Sequence, residues 1–328
     1  MANLGIDRRH ITAGLGAGVC AGLSTSLLWP APAKATPVFA TSADSPLAAR
    51  DYTPTTDLIT LADIYRRMTA PVKVNGQGPF PFVVDTGANR SVISIELAAT
   101  LGLPVGPREL LHGVAGEEMA GSTTATLNLG GRDQPDTVLS LLPEKSIGGP
   151  GMLGVDRLHD QSLTLDFRGQ RLEIETSRYA RRDPDAVTVK AHRRSGQLTL
   201  VDVELAGASM VALVDSGAQS TIGNMALFEI AVVNAPGIAW GDVAIISATG
   251  QTIGAQAATL PRLRIGGLQF PAWSVAFADL HTFKLWNLVE RPAILLGVDA
   301  LSRFESVSLD FARDEVRFHL PKPVPQGV

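Results

Sequence analysis

The feature that most constrains the fold of this chain is a series of short motifs that occurs twice in the same order. Residues 81–88 read Pro-Phe-Val-Val-Asp-Thr-Gly-Ala, and residues 211–218 read Val-Ala-Leu-Val-Asp-Ser-Gly-Ala, 130 positions later. The later pairs are Gly116 with Gly250, Gly130-Gly131 with Gly266-Gly267, Met152–Asp156 with Leu295–Asp299, and Leu165–Phe167 with Leu309–Phe311. Because the offset only grows along the chain, the sequence predicts one unit that was duplicated, with small insertions in the second copy.

Each copy is predicted to consist of β structure. Apolar and polar residues alternate in segments such as Ala125–Leu129 and Val316–Leu320, which is the period of a half-buried strand. Gly130-Gly131, between two apolar segments, predicts a tight hairpin turn. Only Ile95–Leu101 and Met225–Val232 have a helical pattern, and both follow shortly after an Asp-Thr/Ser-Gly turn. The expected fold class is therefore all-β.

The N-terminal residues have the pattern of an export signal. Arg8 and Arg9 precede an uncharged stretch from Ile11 to Leu28, and Ala33-Lys34-Ala35 supplies the small residues that a signal peptidase requires. The paired arginines suit the twin-arginine route, although general secretion remains an equal alternative. We therefore expect a periplasmic or secreted protein.

Length and local composition predict how the rest of the chain is organised. A chain of 328 residues is more readily divided into two units than packed around one core. Polar and proline-bearing stretches mark the expected borders. The predicted segments are a signal peptide at 1–35, a flexible segment at 36–56, a first lobe at 57–180, a linker at 181–186, a second lobe at 187–320 and a proline-rich tail at 321–328.

Charge and ligand content argue against several classes of function. The net charge is −4 and no basic run exceeds two residues, so a nucleic-acid partner is not expected. The six histidines are scattered, no His-Glu-x-x-His motif occurs, and there is a single cysteine. The sequence therefore predicts no metal site, no disulfide scaffold and no cofactor. Gly149–Gly154 matches a dinucleotide fingerprint formally, but the helix and strand that should follow it are missing.

The two Asp-Thr/Ser-Gly turns indicate a paired-carboxylate chemistry. A carboxylate on a sharp turn after an apolar strand is presented at the end of that strand, and the following glycine permits close approach of another backbone. Two such turns, one from each copy, are expected to place Asp85 and Asp215 side by side. Two carboxylates so close share one proton, which makes one a base and the other an acid. The hydroxyl of Thr86 or Ser216 is expected to bond to the opposite strand.

These motifs resemble those of the aspartic proteases, and most of all two retropepsin units fused in one chain. The resemblance extends over nearly all of residues 60–320. It implies a bilobal fold of two retropepsin-like β-barrel lobes with a cleft between them. By position it implies catalytic residues Asp85 and Asp215, support of this dyad by Thr86, Gly87, Ser216, Gly217, Gly154 and Gly297, and substrate-binding flaps with tips at Gly116 and Gly250.

The chain departs from the better-known members in several places. Two flap-like segments distinguish it from pepsin, which has one, and no tyrosine lies near either tip. Asn89 and Gln219 stand where an acid commonly follows the alanine in viral retropepsins. None of these differences affects Asp85 or Asp215.

The expected function is that of a monomeric aspartic endopeptidase acting on a peptide or protein substrate, without a membrane span in the mature chain. The alternative is an inactive protease fold that binds a peptide or a partner. A glycosidase would require carboxyl groups at least about 5 Å apart that share no proton. Each turn taken singly would also suit an ordinary Asx turn, in which the aspartate accepts bonds from nearby backbone amides.

Overall fold

The computed structural model describes residues 56–63, 66–156, 158, 160–177, 183, 185–194, 197–205, 207–234, 237–260 and 262–321. The predicted signal peptide, nearly all of the 36–56 segment, half of the linker and nearly all of the tail lie outside the described residues. Among the described residues, none of the helices has the length and apolar character that crossing a bilayer requires.

The first half of the described chain is built from short strands and two short helices. The strands are β1 (Thr56–Ile59), β2 (Leu61–Ala62), β3 (Met68–Val74), β4 (Gln77–Val84), β5 (Val92–Ser94), β6 (Arg108–His112), β7 (Glu117–Leu129), β8 (Arg132–Leu142), β9 (Gly151–Leu153), β10 (Gln161–Asp166) and β11 (Arg171–Thr176). The helices are α1 (Ile95–Thr100) and α2 (Glu144–Ile147).

The second half has the same character. Its strands are β12 (Val187–Arg194), β13 (Gln197–Leu205), β14 (Ala208–Val214), β15 (Ile222–Gly223), β16 (Trp240–Ile246), β17 (Thr252–Leu260), β18 (Leu263–Ile265), β19 (Leu268–Phe270), β20 (Trp273–Phe277), β21 (Ala293–Leu296), β22 (Ser306–Asp310) and β23 (Glu315–His319). Its helices are α3 (Met225–Asn234), α4 (His281–Leu285) and α5 (Val298–Leu301).

The predicted all-β, bilobal fold class is confirmed. Helices α1 and α3 begin at the residues where the sequence pattern predicts them. The expectation that these two are the only helices is wrong, because α2, α4 and α5 are also present. Each of those three has only four or five residues. One helical turn is too short to produce a recognisable 3.6-residue period, which explains why the sequence pattern misses them.

The strands that carry the two Asp turns have the same neighbours in both halves. In the first half β4 is parallel to β9, β9 is antiparallel to β5, and β5 is parallel to β8. In the second half β14 is parallel to β21, β21 is antiparallel to β15, and β15 is parallel to β20. This arrangement gives Asp85 and Asp215 the same place, one residue beyond the end of a central strand.

A single sheet joins the two halves behind these turns. Strands β1, β11, β10, β22, β23 and β12 lie side by side in that order, three from each half. The junction is the antiparallel pair of β10 and β22, in which Leu163 faces Leu309 and Leu165 faces Val307. All four side chains are buried, so the apolar core continues from one half into the other and holds them in fixed relation.

Candidate active site

The structure brings Asp85 and Asp215 together. Both are almost fully buried, with 7% of each residue exposed. A Cβ atom added to Gly87 would lie 2.4 Å from Cγ of Asp215, and one added to Gly217 would lie 2.3 Å from Cγ of Asp85. Each carboxyl group therefore packs against the glycine of the opposite turn. No residue with a side chain fits at either position, which is the reason these turns contain glycine.

Backbone amides of the turns donate hydrogen bonds to the two carboxyl groups. The N–H of Gly87 donates to Oδ1 of Asp85 at 2.8 Å. The N–H groups of Gly217 and Ala218 donate to Oδ1 of Asp215 at 2.9 and 3.0 Å. These are the bonds of an ordinary Asx turn. The Asx turn and the carboxyl pair are therefore not alternatives, because each turn holds its own carboxyl group and presents it to the other.

The hydroxyl groups of Thr86 and Ser216 tie the two turns to each other. Oγ1 of Thr86 donates to the carbonyl of Val214 at 2.8 Å, and Oγ of Ser216 donates to the carbonyl of Val84 at 2.7 Å. In return, each hydroxyl accepts a bond from the backbone N–H of the other residue, at 3.0 and 3.1 Å. The cross-strand bonds expected from the sequence are present. Four buried hydrogen bonds thus fix the separation of the two carboxyl groups.

Gly154 and Gly297 lie directly behind the turns. A Cβ at Gly154 would be 2.7 Å from the carbonyl carbon of Arg90, and a Cβ at Gly297 would be 2.6 Å from that of Ser220. Both contacts are with backbone, which has little freedom to move away. The chain segments that follow β9 and β21 therefore support the turns from behind, as the resemblance to retropepsins implies.

A second layer of side chains, which the sequence analysis does not single out, holds these glycines. Oγ of Ser91 donates to Asp156 at 2.9 Å and accepts the N–H of Gly154 at 3.0 Å. The repeat itself could have revealed this contact, because a hydroxyl residue and an aspartate occur at the corresponding positions of both copies. The second half has the same contacts, at 2.7 and 3.2 Å, through Thr221, Asp299 and Gly297.

Arg67 and Gln197 occupy matching positions 130 residues apart, and neither is predicted from the sequence as a site residue. Arg67 is buried, pairs with Asp63 at 2.7 Å and donates to the carbonyl of Ile147 at 2.9 Å. The amide of Gln197 donates to the carbonyl of Gly87. One half therefore places a positive charge near the carboxyl pair where the other places a neutral amide.

The surroundings raise the pKa of both carboxyl groups. Burial is the largest cause of the raised pKa of Asp85, and it is opposed by hydrogen bonds and by the charge of Arg67. Burial also raises the pKa of Asp215 well above its ordinary value, and the negative charge of Asp85 raises it further. Because the pKa of both carboxyl groups is raised, the pair favours holding one shared proton.

Two hairpins, one from each half, meet at their tips. The first hairpin consists of β6, β7 and the turn that contains Gly116, and the second consists of β16, β17 and the turn that contains Gly250. The tips are neighbours, because a Cβ at Gly116 would lie 3.3 Å from Oε1 of Gln251. The structure thus places both predicted flap tips in hairpin turns that meet each other.

Each hairpin tip also touches a short helix of the opposite half. The carbonyl of Val114, in the first tip, accepts the N–H of His281 in α4 at 2.8 Å. In the second tip, a Cβ at Gly250 would lie 3.1 Å from Oγ of Ser146 in α2. Val114 lines a small cavity together with Asp215 and with Thr282, the residue after His281. The first tip therefore borders the space beside the carboxyl pair.

Among the described residues, one group of three side chains is suited to hold a metal ion: His112, Glu117 and His281. It lies where the first hairpin meets α4, apart from the carboxyl pair. The sequence analysis misses this group and predicts no metal site. The reason is that one of its members is 169 residues away from the first, so no local spacing reveals it.

Comparison with known proteins identifies the region that carries the first turn. Residues 70–157 match the family model described as aspartyl protease. No curated protein matches the chain. The matched segment runs from β3 to the residues just after β9, and includes the Asp-Thr-Gly turn, the first hairpin and the glycine behind the turn. This segment is therefore similar to the retropepsin-like aspartyl proteases.

Proposed function

We propose that the protein is an exported aspartic endopeptidase that hydrolyses peptide bonds with one carboxyl group from each half. The observation that carries this proposal is the reciprocal packing of Asp85 and Asp215, each against the glycine of the opposite turn. Such contact requires two Asp-Thr/Ser-Gly turns facing each other, and an isolated Asx turn does not need it. The N-terminal signal pattern supports function in the periplasm or outside the cell.

The charge of Arg67 near Asp85 assigns a role to each carboxyl group. Asp85, whose ionised form this charge favours, is the base that takes a proton from a bound water. Asp215, whose pKa is raised well above its ordinary value, is the acid that donates a proton to the carbonyl oxygen of the peptide. The oxygen of the water bonds to the carbonyl carbon and forms a tetrahedral diol. Asp85, now protonated, then donates its proton to the nitrogen while Asp215 takes a proton from a hydroxyl of the diol. The carbon–nitrogen bond breaks, and a carboxylic acid and an amine are released.

The hairpins suit an extended peptide as the substrate. A peptide in the cleft would pair its backbone with the strands that border it, which provides affinity for many sequences. The touching tips must separate before a peptide reaches the carboxyl pair. We therefore propose that hairpin opening precedes binding, as expected for lids over enclosed sites.

The second candidate is a protease fold that binds a peptide or a partner without cleaving it. Both carboxyl groups and their supporting bonds are intact, which is unnecessary for binding alone. A glycosidase is a poorer candidate, because its carboxyl groups must stand about 5 Å or more apart and need not share a proton. Here each carboxyl group lies against the opposite turn.

Digestion of a peptide library by the wild-type protein and three variants tests the proposal. We expect cleavage by the wild type, and almost none by Asp85→Asn or Asp215→Asn, with all proteins folded by circular dichroism. Asp166→Asn is the matched control, because Asp166 accepts a bond from Gly169 in a turn outside the site. A wild type that binds a hydroxyl-containing transition-state mimic but cleaves no peptide would favour the binding module. Cleavage that survives either substitution would overturn the proposal.

A further inference from the structure

Three potential metal ligands converge at the junction between the first hairpin and α4. Nδ1 of His112 lies 3.2 Å from Nε2 of His281. Oε1 of Glu117 lies 3.5 Å from the same nitrogen of His112 and 3.8 Å from the same nitrogen of His281. Each of the three side chains thus contacts the other two through the same single atom. These three atoms form a nearly equilateral triangle.

The backbone positions all three side chains. His112 and Glu117 are directly opposite each other across the antiparallel pair of β6 and β7. Opposite residues of such a pair project to the same face of the sheet. His281 begins α4, and its N–H donates to the carbonyl of Val114 in the turn between those two strands. The backbone therefore brings the three side chains to the same place.

The triangle has the size that a tetrahedral zinc ion requires. Two ligands on Zn–N bonds of about 2.0–2.1 Å lie about 3.3–3.4 Å apart. The three observed separations, from 3.2 to 3.8 Å, differ from that value by a few tenths of an ångström at most. Two imidazoles and one carboxylate are an established ligand set for zinc with one position left for water.

Solvent has access to the group. The exposed fractions of the side chains are 31% for His112, 50% for Glu117 and 21% for His281. An ion can therefore enter without unfolding the protein, and a water molecule can complete its coordination. The carboxylate also supplies a negative charge next to two imidazoles, which offsets part of the charge of a divalent cation.

We propose that His112, Glu117 and His281 bind one divalent transition-metal ion, of which Zn²⁺ is the best fit, and that the ion fastens the first hairpin to α4. The ion would add bonds beside the contact of Val114 with His281. Val114 and Thr282 both line the cavity next to Asp215, so the fastened hairpin borders the proposed catalytic space. A bound ion therefore opposes hairpin opening and slows peptide entry. Only this last consequence rests on the proposed function.

Metal binding is measured on the untagged full chain after removal of metal with a chelator. Titration with Zn²⁺ against a chromogenic chelator is expected to give one ion per chain. We expect His112→Ala, Glu117→Gln and His281→Ala each to weaken binding at least about tenfold, as loss of a direct ligand should. Glu118→Gln and His192→Ala are matched controls, because each removes the same chemical group outside the triangle. We expect both controls to bind like the wild type.

Two results would overturn the proposal, and each can be told apart from failure of the proposed function. A folded wild type that binds no more Zn²⁺ than His281→Ala would remove the metal site, whatever its peptidase activity. The second result is a wild type that binds one Zn²⁺ per chain while Zn²⁺ changes its peptide hydrolysis no more than it changes that of His281→Ala. That result would retain the metal site but exclude an effect of the ion on hairpin opening. A wild type without peptidase activity would still bind zinc if the first part is right.

Discussion

Around the carboxyl pair the two halves of the molecule are nearly interchangeable, whereas at the hairpins they are not. The bond from Thr86 to the opposite strand is 2.8 Å long, and the bond from Ser216 is 2.7 Å long. By contrast, His112 and Glu117 of the first hairpin correspond, 134 residues later, to Ile246 and Gln251 of the second. The residues through which the two Asp turns contact each other are thus matched in both halves. The hairpin residues that border solvent have diverged.

A smaller difference lies close to the carboxyl groups. Arg67 in the first half corresponds to Gln197 in the second. The charge of Arg67 lowers the pKa of Asp85, whereas Asp215 has no positive charge among the causes of its shift. Two equivalent turns therefore acquire unequal proton affinities, which a reaction with one base and one acid requires.

Among changes that keep both aspartates, the largest effect is expected from adding a methyl group to either turn glycine. Gly87→Ala and Gly217→Ala each place a Cβ within 2.4 Å of the opposite carboxyl group, which must move. Displacement of a reacting group by about 1 Å costs roughly 100-fold in rate. We expect losses of that size in kcat for both variants, measured with a peptide substrate. Gly241→Ala, where the added Cβ meets nothing within 4 Å, is the control. A large loss in one half only would break the equivalence of the turns.

The second effect concerns stability. Thr86→Val leaves the carbonyl of Val214 without its donor and the N–H of Ser216 without its acceptor, both buried. We expect a loss of about 1–3 kcal/mol in the free energy of unfolding, measured with urea, and a similar loss for Ser216→Ala. Thr100→Val, which removes an exposed hydroxyl, should change it by about 0.5 kcal/mol or less. An unchanged stability in Thr86→Val would contradict the role of these bonds.

The sequence predicts the centre of the site far better than its surroundings. The Asp turns, the cross-strand hydroxyls and the glycines behind them follow from short motifs, and their recurrence indicates that they meet. Arg67 and Gln197 carry no such signal, because many proteins have an arginine or a glutamine where a strand begins. His112 and Glu117 flank a hairpin turn, so their proximity is predictable. His281 lies in the segment between β20 and β21, whose path depends on packing that no local pattern specifies.

Tertiary packing determines which side chains are buried and which strands pair, and local sequence patterns do not predict either reliably. Trp286 is buried, as the apolar character of its ring favours. Trp240 is 56% exposed, because it lies on β16, at the edge of its sheet, where nothing among the described residues covers it fully. The sheet that joins the halves is also unpredicted, since periodicity identifies strands but not their partners.

The third prediction concerns a substitution that makes the two halves more alike. Arg67→Gln removes the charge that lowers the pKa of Asp85, so that pKa rises. Asp85 must be ionised to act as the base, and activity is lost as the pH falls through its pKa. The acid limb of the profile of kcat/KM should therefore move to higher pH. Arg67→Lys keeps the charge and should keep the limb in place. A shift to lower pH in Arg67→Gln would reverse the assignment.

The smallest effect is expected beyond the turns, at Ala88. Many pepsin-like sites have a hydroxyl residue here that stabilises the ionised carboxylate, and this chain has alanine in both halves. Together with burial, this predicts a bell-shaped profile of kcat/KM centred at about pH 4.5–6.5. Ala88→Ser should move the profile toward acid. An optimum below about pH 3 in the wild type would contradict this interpretation.

The central claim is that one carboxyl group from each half forms a single catalytic unit. Comparison of the double variant Asp85→Asn/Asp215→Asn with the two single variants tests it most directly, by kcat/KM on one peptide. If the carboxyl groups act together, each single variant loses nearly all activity and the double variant loses little more, because half a dyad does not catalyse. A single variant that keeps a tenth of the wild-type activity, or losses that multiply in the double variant, would show that the carboxyl groups act separately.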